Sequence, residues 1–229
     1  LNKIKKIFSH KNRLIELFKN VSFQINPGDL VALVGPSGSG KSSLLNILAL
    51  LDKPNSGSVF LSGKDTKFLK SFEIDEIRRK KISIIFQDNN LLSDFTAVEN
   101  VLMPLIIRGD NYKLSLNKAT KVLKKVNLGN RSNHFPNELS GGEQQRVAIA
   151  RSLIAETNLI LADEPTGNLD YKTSQEVFSY FIQLKKMKKT IIFATHNREL
   201  ANKADYKLSI LNGTVKRSDG WRIYKQKFF

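Results

Sequence analysis

The stretch "DLVALVGPSGSGKSSLLNILALL", residues 29–51, decides how the rest of the chain is read. Its first part, Leu30 to Val34, is a short continuous apolar run of the kind that forms a buried strand. Its last part, residues 41–51, carries a wide apolar face at helical spacing. Between them "GPSGSGKS" (35–42) fits the pattern G-x-x-x-x-G-K-[ST], in the strand-before, helix-after setting that gives the pattern meaning. Gly35, Gly38 and Gly40 let the backbone curl and turn its N–H groups inward onto phosphate oxygens. Pro36, Ser37, Ser39 and Ser43 complete the loop and the first helical turn, where the helix dipole also favours an anion. Lys41 is expected to reach the β- and γ-phosphates of a nucleoside triphosphate. The Ser42 hydroxyl is expected to ligate Mg²⁺, which binds few protein oxygens and takes the rest from phosphates and water.

Three further apolar runs end in polar residues suited to the same chemistry. "LILADEP" (159–165) closes on Asp163 and Glu164. A carboxylate at the end of a neighbouring strand is needed to face Mg²⁺, and Asp163 suits that role. Glu164, alternating to another direction, is placed to polarise the attacking water, and Pro165 stops the ladder. "TIIFAT" (190–195) ends on His196, whose imidazole N–H is a donor for the γ-phosphate or the water. The other histidines, His10 and His134, lie in polar, loop-like sequence. "ISIIF" (82–86) ends on Gln87, an amide suited to Mg²⁺ and water.

Helical periodicity covers 96–107, 115–126, 141–155 and 171–187, alternating with the strands in the second half. "NVSFQI" (20–25) reads as an early strand, joined to the next by a Pro27-Gly28 turn, and 206–217 as a hairpin around Asn212-Gly213. The expected fold is α/β: a P-loop NTPase core with a central, mainly parallel sheet, an antiparallel β side sheet from the early strands, and an α-helical subdomain. The 229 residues suit one domain, with the core at about 1–87 and 157–229 and the helical subdomain at about 88–156.

The net charge is +16, and its longest cluster is Arg78-Arg79-Lys80-Lys81. The lysines are otherwise scattered, as on a solvated surface, and no nucleic-acid partner is expected. There is no cysteine, so disulfides and thiolate chemistry are excluded. No apolar run reaches the roughly 18 residues of a transmembrane helix, and the basic N-terminus lacks the apolar centre of a signal peptide.

A second glycine-containing helix start remains to be explained: "LSGGEQQRVAIARSL", 139–153. Ser140 and Glu143 form a capping box, and Val147, Ile149, Ala150, Leu153 and Ile154 bury the helix. LSGGEQQR is very similar to the signature motif of ATP-binding-cassette (ABC) ATPases. The phosphate loop, Gln87, LSGGE, LILADE, Asp170 and His196 also occur in that family's order, so the resemblance spans essentially the whole chain. It departs at "AETNLIL", where many relatives carry proline near Asn158. The resemblance implies a Mg²⁺-dependent ATPase that pairs head to tail as an ATP-dependent homodimer. Ser140, Gly141 and Gly142 of one copy then close on the γ-phosphate bound by the other. It implies that Asp170 faces the partner's phosphate loop and that Phe8 stacks on adenine. "LLSDFTAVENVLMPL" (91–105) and "LADEPTGNLD" (161–170) resemble the lipoprotein-release, macrolide-export and peptide-resistance branch. That branch implies a separate transmembrane permease subunit, contacted after Gln87, and a place on the cytoplasmic face of the cell membrane. A cell-division regulatory complex and a soluble nucleic-acid-associated ABC ATPase stay open as alternatives. The interval between phosphate loop and signature has no long heptad run of the DNA-repair type.

Overall fold

A computed structural model describes residues 1–10 and 13–219. Its centre is a six-stranded sheet in the order β11-β10-β3-β9-β8-β7. The strands are β3 (Leu30–Val34), β7 (Ile82–Ile85), β8 (Leu159–Asp163), β9 (Thr190–Ala194), β10 (Tyr206–Leu211) and β11 (Thr214–Asp219). The first five run parallel, and only β11 is antiparallel, returning from β10 through the Asn212-Gly213 turn. Side chains alternate between the faces of a strand. Leu30, Ala32, Ile160, Ala162, Ile191 and Phe193 therefore enter one core, and Val31, Leu33, Leu161, Ile192 and Ala194 enter another. Burial on both faces is why these strands read as unbroken apolar runs. Because the five are parallel, their carboxyl ends line one edge, where ligands of open α/β sheets bind.

One face is covered by α1 (Lys41–Leu48), whose Leu44, Leu45, Ile47 and Leu48 are buried. The other face is covered by α5 (Gly141–Ile154) and α6 (Tyr171–Lys186), where Phe178 meets Phe193 edge-on at 5.3 Å. Two more helices, α3 (Ala97–Ile107) and α4 (Tyr112–Lys125), pack on each other and on α5. The helix α5 also packs on α6 and β7, so these helices share one continuous core with the sheet. Thr96 caps α3 with Glu99 reaching back to its backbone, and Asn111 caps α4.

The antiparallel side sheet has the order β2-β1-β4, from β1 (Asn2–His10), β2 (Arg13–Val21) and β4 (Ser56–Ser58). A small hairpin, β5 (Phe60–Leu61) and β6 (Lys64–Asp65), follows. The expected strand at 20–25 is corrected. Only Asn20 and Val21 belong to β2: Asn20 turns into the left-handed region at φ 58, Val21 still pairs with Ile4, and the strand stops there. Phe23 instead exchanges two backbone bonds with Leu1. His10 lies in β1 and not in a loop. Two helices were not expected: α2 (Ser71–Lys81), none of whose residues is buried, and the short α7 (Arg198–Asn202).

Candidate active site

The phosphate loop joins β3 to α1 at the carboxyl edge of the sheet. Gly40 holds φ 98, a left-handed value at the helix start, and a Cβ there would come within 2.9 Å of the Phe18 ring. A Cβ on Gly35 would meet Ser39 Oγ at 2.6 Å and the Ile210 carbonyl oxygen at 2.8 Å. Both positions therefore demand glycine, one for conformation and one for close backbone approach. Lys41 folds back and donates to the carbonyls of Gly35 and Pro36 at 3.1 and 3.4 Å. Its ammonium lies 3.9 Å from Glu164 Oε1, and both side chains are largely buried.

Asp163 ends β8, as expected. Its Oδ1 is buried with no hydrogen-bond partner among the described residues. Glu164 does not continue the strand alternation. It enters the left-handed region at φ 43 while its N–H still donates to the Ala194 carbonyl at 3.1 Å. That turn aims the carboxylate at the next strand end. Glu164 Oε2 lies 3.0 Å from His196 Nδ1 and accepts the His196 backbone N–H at 3.3 Å. Lys41, Glu164 and His196, from three strand ends, thus form one contact chain. Gly167 completes the turn, donating to the Glu164 carbonyl at 3.0 Å, and its open side adjoins both Glu164 and His196.

A cleft of about 220 Å³ lies beside this chain and brings Gln87, Gly141, Gln145, Glu164 and Leu169 together. Gln87 is exposed at its rim. The amide nitrogen of Gln145 is buried there with no partner among the described residues, a feature that no motif singles out. The capping box at α5 is present: Ser140 N–H donates to Glu143 at 2.8 Å and Glu143 N–H to Ser140 Oγ at 3.3 Å. Glu143 also pairs with Arg131 at 3.2 Å. These bonds, the backbone one foremost, hold its carboxyl below the usual glutamate value. Ser140 and Gly141 are exposed, whereas Gly142 is buried against Thr173, where a Cβ would approach to 2.5 Å. Asp170 caps α6 and accepts from Thr173 N–H at 3.1 Å. Those bonds, first from the Thr173 hydroxyl and then from its N–H, lower the Asp170 carboxyl pKa. Phe8 is 39% exposed on β1, with the Lys6 ammonium 4.9 Å from its ring centre.

The donor set fits a Mg²⁺–nucleotide pair. A glycine-rich loop offers N–H groups to phosphates, and the orphaned oxygen of Asp163 calls for a cation. Among the described residues no three acidic or imidazole side chains converge as a metal cage. That suits an ion which takes most of its ligands from phosphate and water.

The family profile described as "ABC transporter" matches residues 18–167, which hold the phosphate loop, Gln87, the signature and Asp163–Glu164. The chain belongs to the ABC transporter family. As an ABC cassette it binds and hydrolyses ATP with Mg²⁺. The "Lipoprotein-releasing system ATP-binding protein LolD" of Rickettsia bellii is 44% identical over 219 residues, 95% of this chain and 97% of that protein. The "Macrolide export ATP-binding/permease protein MacB" of Bartonella quintana is 40% identical over 99% of this chain and 34% of that longer protein. The ABC cassette also superposes on the ATP-binding cassette MJ0796, solved as a dimer in a post-hydrolysis state bound to ADP and Pi. The TM-score is 0.89 with 38% identity, covering 96% of this chain and 97% of that one.

Proposed function

We propose that this cassette is the ATP-hydrolysing subunit of a lipoprotein-releasing transporter. In this reading it works as an ATP-dependent homodimer on the cytoplasmic face of the membrane and drives a separate permease. The observation that carries the catalytic part is the contact chain Lys41–Glu164–His196 at the carboxyl edge of the sheet, beside the unpartnered oxygen of Asp163. The cargo and partner follow from kinship with the Rickettsia relatives, matched over nearly the full length of both chains. Among the described residues no helix is long and apolar enough to cross a membrane, so attachment would run through the permease.

Within the site, Lys41 neutralises charge on the β- and γ-phosphates, and the loop from Gly35 to Ser43 cradles them with its N–H groups. Ser42, Gln87 and Asp163 would hold Mg²⁺, which supplies positive charge to the phosphate oxygens when bound. Glu164 takes the proton from the attacking water as general base, and His196 fixes the direction of its carboxylate. Phe8 stacks on adenine with one ring face while Lys6 covers the other. The exposed Ser140 and Gly141, with the backbone N–H of Gly142, close from the partner copy on the terminal phosphate, and Asp170 faces the partner's loop. In this reading residues 1–87 and 157–229 form the core that holds the nucleotide, and 88–156 the helical subdomain that presents the signature.

The test is Glu164→Gln. It removes the base and keeps the shape, so turnover should fall by about 10²- to 10⁴-fold while ATP binding persists. Sizing in Mg²⁺-free ATP should then show a dimer. A variant that stays monomeric under saturating ATP defeats the shared-site reading. Co-purification from membranes, with mass-spectrometric identification of the retained permease, tests the lipoprotein assignment.

A further inference from the structure

Immediately after Gln87 the chain makes a turn that few sequences would choose. Asn89 and Asn90 both occupy the left-handed region, at φ 59 and φ 44. Asparagine tolerates that conformation better than most residues, yet it is still strained there. The local bonds of the turn, Asn89 N–H to the Phe86 carbonyl at 3.1 Å and Asn90 N–H to the Asp88 carbonyl at 2.6 Å, are short-range. What fixes it from outside is Arg151, which lies on α5, eleven residues beyond Ser140. Its Nη2 donates to the Asn89 carbonyl at 2.7 Å and its Nη1 to the Asn90 carbonyl at 2.9 Å. The guanidinium is sunk far enough that burial pulls its pKa down, so it is held where its charge is poorly hydrated. The planar fork matches two adjacent carbonyls in a way an ammonium cannot.

We infer that Arg151 is a positioning residue for hydrolysis: its grip on the Asn89 and Asn90 carbonyls fixes Gln87 relative to the signature helix. The strained turn does not hold its shape alone, and the grip makes Gln87 and the Ser140 end of α5 move as one body. The nucleotide-facing amide thereby depends on where the signature helix stands. The inference rests on the reading of Gln87 under Proposed function, and goes beyond it by naming the residue that aims it.

The experiment compares Arg151→Met, Arg151→Lys and Gln87→Ala in the full chain, each in the native background. Arg151→Met is also made with Asn89→Gly and Asn90→Gly. ATPase kcat and KM, binding of a fluorescent non-hydrolysable ATP analogue, thermal melting and amide hydrogen exchange over 87–91 are measured. Arg151→Met loses two charged hydrogen bonds and should lower kcat by about 10- to 100-fold. KM and analogue affinity should change less than about twofold, because no phosphate contact is touched. Arg151→Lys should fall between, since one ammonium cannot span both carbonyls. Exchange over 87–91 should quicken while α5 stays protected. Glycine adopts the left-handed conformation freely, so with glycine at 89 and 90 the loss from Arg151→Met should shrink to about threefold. Equal losses in both backgrounds, or a KM rise that follows a drop in melting temperature with kcat intact, overturn the inference. If Arg151→Met does not fold, Arg151→Lys carries the same comparison. A silent Gln87→Ala overturns the assignment of Gln87. A silent Arg151→Met beside an impaired Gln87→Ala overturns the tether alone.

Discussion

Replacing Asp163 by asparagine should make the nucleotide-free protein more stable and the enzyme inactive. Asp163 Oδ1 is buried and accepts no hydrogen bond among the described residues. An unsatisfied buried polar atom costs about 1–3 kcal/mol, more when it carries charge. Asparagine keeps the shape and removes the charge but still leaves a polar atom unpaired in the same place, so the nucleotide-free fold should gain only the part due to charge, about 1 kcal/mol. For a chain of this size 1 kcal/mol moves the melting temperature by about 2–4 °C, which is the expected rise. With ATP and Mg²⁺ the order should reverse. A ligand at about a hundred times its Kd stabilises by about 2.7 kcal/mol, and the variant forfeits the Mg²⁺-dependent share. Differential scanning fluorimetry, run without nucleotide, with ATP and EDTA, and with ATP and Mg²⁺, reads all three states. If Asp163→Asn melts at or below the parent without nucleotide, the oxygen is not frustrated and the case for a waiting cation site fails.

Gly35→Ala drives a methyl to within 2.8 Å of the Ile210 carbonyl, a backbone atom that cannot swing aside. It should cost about 1–3 kcal/mol of stability and abolish ATP binding, as seen by melting and by titration with a fluorescent nucleotide. Phe8→Ala should lower the melting temperature only modestly, because the ring is 39% exposed, while the Kd for ATP rises about 2- to 12-fold. An unchanged Kd removes Phe8 from the site. Glu143 contributes a pH dependence whose sign is fixed: its folded-state pKa lies below the ordinary 4.5. Its contribution is complete above 4.5 and is lost as pH falls through the folded value. Glu143→Gln should therefore flatten the acid limb of the stability–pH curve and leave its shape above neutrality unaltered. A variant that melts in parallel with the parent from pH 7 to pH 3 contradicts this.

The parallel strands were legible because both their faces are buried. Leu30–Val34, Leu159–Ala162 and Ile191–Ala194 leave no polar alternation to confuse the reading. The catalytic edge was legible for the same reason, since the first polar residue after each run marks where the sheet ends. The β1–β2 hairpin was not, because few of its residues face inward: Ile4 and Phe18 are buried, but Lys6 is buried beside them through its bonds to Asp52 and Lys53. Helix α2 escaped notice because Ile74 and Ile77 are its only inward-leaning apolar residues. The direction of Glu164 is not set by strand alternation. It comes from a left-handed residue, which sequence marks only when glycine or asparagine supplies it. The bonds of Arg151 join residues sixty-one and sixty-two positions apart, a separation at which no local pattern announces a partner.

The basic run Arg78-Arg79-Lys80-Lys81 gains a meaning from the strand order. It closes α2 and leads without a linker into β7, an edge strand of the six. Ile82, Ser83 and Ile85 are buried in the folded protein, so this apolar segment meets other chains only before folding is complete, the stage at which such a strand recruits a second chain into a growing aggregate. Four consecutive cations at its entrance repel such recruits before they can align. Swapping those charges for serine should leave the hydrolytic centre untouched and shorten the time the protein survives in concentrated solution.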